Sequence, residues 1–446
     1  MEVNEILVIA MFLSFIVLLF TGFPVAFVLG GVGVAFAFIG YLSDIYLDTF
    51  TGLDMLTLSL VVNRIYKIMD NWVMVALPMF IFMGIMLDRS GVAEKLMNSI
   101  QQLFGRVRGG LAITVTLIGI ILAASTGIVG ASVVLLGLMS LPAMLEQKYS
   151  KPLALGTIAS AGTLGILIPP SVILVIYGLL TESSIRELFA AGFLPGLLGI
   201  ILYLAAVRYI VWRNPEAGPP GDKMSWGERF AALKGVWGVL VLFTIVMGGI
   251  YLGVFTPTEA AGIGAGGAFV IALARRSLTL GSLFHAMTDT GRTTAMLFGV
   301  LIGALVFSDF INRAGLPDAL LAFVTSLDVS PMGVILVILA IYIVLGMVFE
   351  SLSMMLLTVP IFYPLVQSLG FDLVWFGIVV VVVTEISLIT PPVGMNVFVL
   401  SAVLRDVKPG TIFKGVTPFW MADIIRLALI TFIAQIALFL PELLYR

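Results

Sequence analysis

Apolar runs of about membrane-crossing length follow one another from Ile6 to Leu440, separated by short polar gaps. A hydrocarbon core of about 30 Å takes about 20 helical residues to cross. The runs near 6–20, 24–40, 72–88, 152–178, 188–210, 235–252, 257–274, 293–309, 373–400 and 415–440 are therefore predicted to span a bilayer. Two stretches, 110–145 and 331–365, are too long for one crossing, and each has a polar interruption at its centre. The interruption is Ser125-Thr126-Gly127 in the first and 346–353 in the second, so each stretch is read as a re-entrant hairpin of two short helices. The 152–178 and 373–400 runs contain Pro169-Pro170 and Pro391-Pro392. Paired prolines withdraw two amide donors and free carbonyls on the preceding turn, which predicts two broken helices.

Charge orients these elements. Arg106 and Arg108 precede the first hairpin and Lys148 and Lys151 follow it, whereas the second is flanked by Asp318, Asp328 and Asp372 with no Lys or Arg between Ala314 and Val403. By the positive-inside rule the first hairpin rests on the cytoplasmic side and the second on the outer side. This topology puts 17 of the 23 Lys and Arg in cytoplasmic loops and five outside, leaves Arg426 in the last span, and places both termini outside. A repeat accounts for the opposed hairpins. Pro142, Pro169 and Pro170 recur as Pro364, Pro391 and Pro392 at a constant spacing of 222, and Leu87-Asp88-Arg89-Ser90-Gly91 resembles Ile311-Asn312-Arg313-Ala314-Gly315 at 224. Two copies in opposite orientation, about 70–180 and 290–400, form the inverted-topology repeat of secondary transporters, where broken helices place a site near the midplane.

The expected fold is thus an all-α polytopic membrane protein. Residues 1–70 supply N-terminal helices and an outer segment, 71–187 the first repeat, 188–292 connecting helices, 293–402 the second repeat and 403–446 a C-terminal helix. The stretch Tyr41 to Asp70, with four aspartates among apolar residues, is open to two readings: a surface helix packing on a partner, or a solvated outer loop. The Met1-Glu2-Val3-Asn4-Glu5 start lacks the basic region of a secretory signal, so the first run is read as a retained helix.

Composition narrows the function. Apolar residues make up 61% of the chain and charged ones 11%, against roughly 25% charged in a soluble domain, so no soluble domain is expected. A net charge of −2 offers no basic footprint for nucleic acid. With no cysteine and one histidine, thiolate zinc sites, a cysteine nucleophile and a His-rich metal site are excluded. No nucleophile motif and no GxxxxGK[ST] phosphate loop is present, which argues against a membrane-embedded enzyme and against ATP-driven pumping by this chain.

The chemistry is expected where helices break, because carbonyls exposed in lipid are costly unless they line a cavity or bind an ion. A cage of carbonyl and hydroxyl oxygens suits sodium. The candidate ion-binding residues are Ser125, Thr126 and Gly127 with Thr163 and Gly165 in the first copy, and Gly346, Ser351, Thr384 and Thr390 in the second. Substrate contacts are expected at Pro169, Pro170, Ser171, Pro391, Pro392 and Gly394. Glu350 and Glu385, at the breaks of copy two, are further substrate candidates; they sense a coupling ion or substrate, or stand solvated at a cavity mouth. Glu259 after Thr256-Pro257 reads as a capping-box glutamate, Asp423 and Arg426 as an i, i+3 pair, and His285 as a surface residue.

Several passages resemble the large membrane subunit of tripartite ATP-independent periplasmic (TRAP) transporters, the DctM-like family. They are Gly22-Phe23-Pro24-Val25-Ala26, Leu77-Pro78-Met79-Phe80-Ile81-Phe82-Met83-Gly84, Gly165 through Pro170-Ser171 with Tyr177-Gly178, and Thr390-Pro391-Pro392-Val393-Gly394. The resemblance covers nearly the full length. It implies a sodium-driven, elevator-type importer of an organic acid in the bacterial inner membrane, with two hairpins and two broken helices in a moving unit. It also implies a small four-helix membrane subunit (DctQ-like), a periplasmic substrate-binding protein (DctP-like) and no cofactor beyond sodium as coupling ion. Two positions depart from the pattern: the Ser-Gly-Ser hairpin tip reads Thr126-Gly127-Ile128, and an acidic position that is often aspartate is Glu350. The alternative is a stand-alone carrier of organic anions, coupled to sodium or protons.

Overall fold

The computed structural model describes residues 3–46, 51, 55–104, 107–126, 129–221, 227, 237–326, 329–404 and 407–445. Its first half runs α1 (Val3–Phe20), α2 (Val25–Tyr46), α3 (Met55–Met69), α4 (Ala76–Arg89, entered through a 3-10 turn at Trp72–Val75), α5 (Val92–Phe104), α6 (Gly110–Thr126), α7 (Val129–Glu146), α8 (Lys151–Leu164), α9 (Val172–Thr181) and α10 (Ile185–Arg213). The second runs α11 (Trp237–Tyr251), α12 (Pro257–Ala274), α13 (Leu280–Arg313), α14 (Leu316–Ser326), α15 (Pro331–Gly346), α16 (Ser351–Ser368), α17 (Leu373–Ser387), α18 (Met395–Val403), α19 (Pro409–Phe432) and α20 (Gln435–Tyr445). Eight of the described helical segments are long and apolar enough to cross a membrane. The hairpins are α6–α7 and α15–α16, and the broken helices are α8–α9 and α17–α18. The Pro169–Pro170 and Pro391–Pro392 peptide bonds are both cis.

Packing makes the repeat longer than the sequence shows. The pairs α1–α2 and α11–α12 are equivalent, and α10 and α19, each with an internal proline (Pro195, Pro418), follow the two broken helices. Each copy packs on the other: α2 on α13 and α12 on α4, α7 on α18 and α16 on α9, α8 on α19 and α17 on α10. Small residues permit the tightest crossings. A Cβ on Gly415 of α19 would run into the carbonyl of Pro152, and one on Gly156 of α8 into the backbone of Gly415. Side chains point inward all around α17 and along most of α8, whereas α1 keeps large apolar residues such as Leu13 and Val17 exposed for lipid.

Three expectations change, and one open reading is resolved. The 415–440 run is two helices, because the Trp375 indole donates to the Ile430 carbonyl at 2.9 Å, occupying an acceptor of the helix ladder just before Ile433 leaves the helical region. The short α20 then turns to lie against α10 and α17. The 293–309 span is the second half of a longer, 34-residue helix, α13, started by a Thr279–Ser282 capping box. Helices α5 and α14 were not expected; each follows a glycine in the left-handed region, Gly91 (φ +70°) and Gly315 (φ +74°), at the two equivalent Arg-x-Gly turns. Of the two readings of 41–70, a helix is present as α3. The capping box at Thr256 and Glu259 is formed as expected, with the Thr256 amide donating to Glu259 at 2.8 Å.

One polar cluster pins this packing. Arg426 of α19 pairs with Glu385 of α17 and lies 3.0 Å from Asp423 one turn earlier, and the Tyr203 hydroxyl of α10 donates to Asp423 at 2.6 Å. All four side chains are fully buried, and the guanidinium fills the space left by Gly199 of α10, beside Leu164 at the end of α8. Removing one partner of a buried pair leaves an uncompensated charge and costs about 3–5 kcal/mol.

Arg426→Met should therefore lower stability by about 3–5 kcal/mol, read as a collapsed thermal midpoint of the purified protein; a midpoint within error of the parent would remove the cluster's structural role. Gly415→Ala should cost roughly 1–3 kcal/mol by overpacking, while Gly410→Ala on the open side of the same helix should be neutral. Cysteines replacing Lys148 or Lys151 should resist impermeant reagents applied outside intact cells, and labelling there would contradict the hairpin orientation.

Candidate functional site

In each copy a hairpin end abuts a helix break. In copy two, a Cβ on Gly346, the last residue of α15, would collide with Ser387, the last residue of α17. In copy one, Ala123 of α6 shares a crevice with Gly165, Ile166, Pro170 and Ser171, too tight to admit water. Of the first tip, Ser125 and Thr126 close α6, and Gly127 lies outside the described residues.

The breaks present oxygens in a defined way. Thr163 donates to Ser160 O at 2.8 Å, Thr384 to Val380 O, Ser387 to Thr384 O and Thr390 to Ile386 O, each of the last three at 2.7 Å. A hydroxyl that donates back to its own helix keeps acceptor lone pairs free. Gly165 caps α8. Ser171 caps α9, accepting from the Leu174 amide at 3.2 Å and donating to the Ile166 carbonyl. Ser351 opens α16, buried, with no hydrogen-bond partner for its hydroxyl among the described residues. These groups can serve a cation without losing an existing bond.

The two glutamates separate. Glu350 is the N-cap of α16, its Oε2 accepting from the Leu352 and Ser353 amides at 3.0 and 3.2 Å. Glu385 lies on the face of α17 toward α19, engaged by Arg426 and fully buried, so it does not stand solvated at a cavity mouth. The breaks themselves also differ. Pro169, Pro170 and Ser171 are buried, but Pro391, Pro392 and Val393 are exposed. Thr390 and Pro391 border a cavity of about 260 Å³ walled by Phe413, Val416, Thr417 and Trp420. Those walls belong to the first half of α19, which by the loop charges is the cytoplasmic half. Gly394, in the left-handed region (φ +56°), starts α18 against Phe413.

Three contributors went unnoticed in the sequence. The Trp420 indole donates to Thr390 Oγ1 at 3.0 Å. Asn396 closes the second break, its amide donating to Leu388 O at 3.1 Å and its side chain to Ala159 O of α8 at 3.4 Å. Tyr203 joins the charge cluster. A lone Asn in the apolar run 395–403 is the signal that was available; Trp420 and Tyr203 carry none. His285 is exposed on α13 as expected.

Comparison with known proteins gives a consistent picture. The sequence profile described as "Tripartite ATP-independent periplasmic transporter, DctM component" matches residues 12–436. The chain is 36% identical over 381 residues to the C4-dicarboxylate TRAP transporter large permease protein DctM of Pseudomonas aeruginosa, covering 85% of this chain and 88% of that one. It is 32% identical to the sialic acid TRAP transporter large permease protein SiaM of Vibrio cholerae, over 96% of both chains. In fold it is similar to the crystal structure of the Alcanivorax borkumensis YdaH transporter, with a TM-score of 0.63 and 16% identity over 87% of this chain and 90% of that one. A match along nearly the whole chain, on a fold of paired hairpins and broken helices, places this protein in the DctM family of TRAP transporter large permeases, which are membrane transporters and not enzymes.

Proposed function

We propose that this permease imports an organic acid across the bacterial inner membrane by sodium-coupled secondary transport, receiving it from a periplasmic substrate-binding protein and working with a small four-helix membrane subunit. One observation carries the reading: in both inverted copies a hairpin end meets a helix break, at Gly346–Ser387 and at Ala123–Gly165. Unwound carbonyls and half-helix ends are what coordinate sodium and carboxylate groups in transporters built this way. Ser125, Thr126, Gly127, Thr163 and Gly165 supply oxygens for one ion; Gly346, Ser351, Thr384 and Thr390 supply them for another, the unpartnered Ser351 hydroxyl being the most readily recruited. The substrate binds between the tips, against Pro169, Pro170, Ser171, Pro391, Pro392 and Gly394. The cavity beside Thr390 and Pro391 is its path to the cytoplasm.

Organic acid as the substrate class is supported by the relatives named for C4-dicarboxylate and sialic acid transport. In the elevator motion we propose, the unit of hairpins and broken helices slides against α1–α2 and α11–α12. Glu350, holding α16 by its N-terminus, positions the second hairpin tip, and Glu385 ties the same unit to α19.

The purified protein should melt higher in sodium than in potassium at equal ionic strength. With about 100 mM sodium and a Kd of about 10 mM the gain is about 1.4 kcal/mol. Thr126→Val and Thr390→Val should each lose part of it. Superimposed curves with the small subunit also present would overturn sodium coupling and favour the proton.

A further inference from the structure

A cavity of about 650 Å³ opens between the end of α3, the 3-10 turn before α4, the α9–α10 turn and the start of α12. The loop charges place all four of these segments on the outer side. Lys67 and Arg186 line it, and neither forms an ion pair among the described residues. The Arg186 guanidinium lies 5.9 Å from the centre of the Tyr445 ring, which fixes it at the cavity wall. The only acidic residue lining the cavity among the described residues is Glu182, an exposed residue in the left-handed region at the end of α9. The formal balance of the lining side chains is therefore one positive charge, with the Glu259 carboxylate bound to Thr256 at one edge. Neutral side chains, Asn71 and Ser184 among them, complete the wall. A concave surface with unpaired cations on low-dielectric walls focuses anions out of bulk solution.

From the inner end of this cavity, α9 leads to the first break. The cavity already reaches Gly178 of α9, and the rise from there to Ser171 at the break is about 10 Å at 1.5 Å per residue, so the cavity and the hairpin–break site are distinct places along α9. We propose that this outer cavity is a receiving site for the carboxylate group of the incoming organic acid, held by Lys67 and Arg186 before it reaches the breaks. The proposal rests on the import reading above and adds a second, external binding site. Its recognition is of the carboxylate, not of the body of the acid.

Trp72 lines the cavity and is half exposed, so it reports occupancy directly. Its emission is isolated as the difference between the protein and a Trp72→Phe variant. Iodide serves as an anionic quencher and acrylamide as a neutral one, and succinate is titrated against chloride at constant ionic strength. Succinate should protect Trp72 from iodide in a saturable manner. Lys67→Gln, and Lys67→Gln with Arg186→Gln, should weaken that protection at least ten-fold while acrylamide quenching stays unchanged, showing that the cavity is intact. Protection that is linear in succinate, or the same in the variants, would overturn the site. Saturable protection without any sodium effect on melting would retire the coupling reading and keep the receiving site; the reverse pattern would retire the receiving site alone.

Discussion

Every amide and carbonyl inside a bilayer must find a partner within the protein, since lipid offers none. This chain interrupts two of its most buried helices at the same point in each copy and so creates the most costly defect its solvent allows. The repairs are local and specific. Ser171 bonds across the first break to Ile166; Asn396 reaches back across the second to Leu388 and outward to α8; Trp420 supports Thr390. What the repairs leave open are oxygens that donate in one direction and remain free to accept in another, which is the chemistry a monovalent cation uses.

The same constraint explains why the copies interlock. A broken helix is short and cannot hold its own position, so each half leans on the opposite copy: α9 on α16 and α18 on α7. The Glu385–Arg426–Asp423–Tyr203 cluster ties α17 to α19 and α10. Buried ion pairs are weak evidence of stabilisation, but once present they penalise any arrangement that separates them. That property holds α17, α19 and α10 in one arrangement.

The two breaks are equivalent in sequence and unequal in exposure. The first is closed under Ala123, and the second opens beside Phe413 and Trp420. An inverted repeat can expose one half-site while covering its mate, which is the geometry alternating access requires. The outer cavity at Lys67 and Arg186 lies on the far side of the closed break by the loop charges.

Membrane residence, the inverted repeat, both hairpins and both breaks were legible from residue order, because apolar run length, proline pairs and loop charge are properties of short segments. The resemblance at Gly165 to Ser171 and at Thr390 to Gly394 pointed to the family the comparisons then showed. Tertiary structure decided what depends on neighbours distant in the chain. Hydropathy read 415–440 as one helix, and a single indole from α17 broke it. Proline spacing revealed the repeat only from about residue 70, because α1–α2 and α11–α12 match in packing and not in motif. Glu385 stood beside a break in the sequence but turned to Arg426, since the periodicity of a helix buried on every side does not tell which neighbour each face meets. The residues of the breaks were therefore written in the sequence, and the partners that complete them were set by the fold.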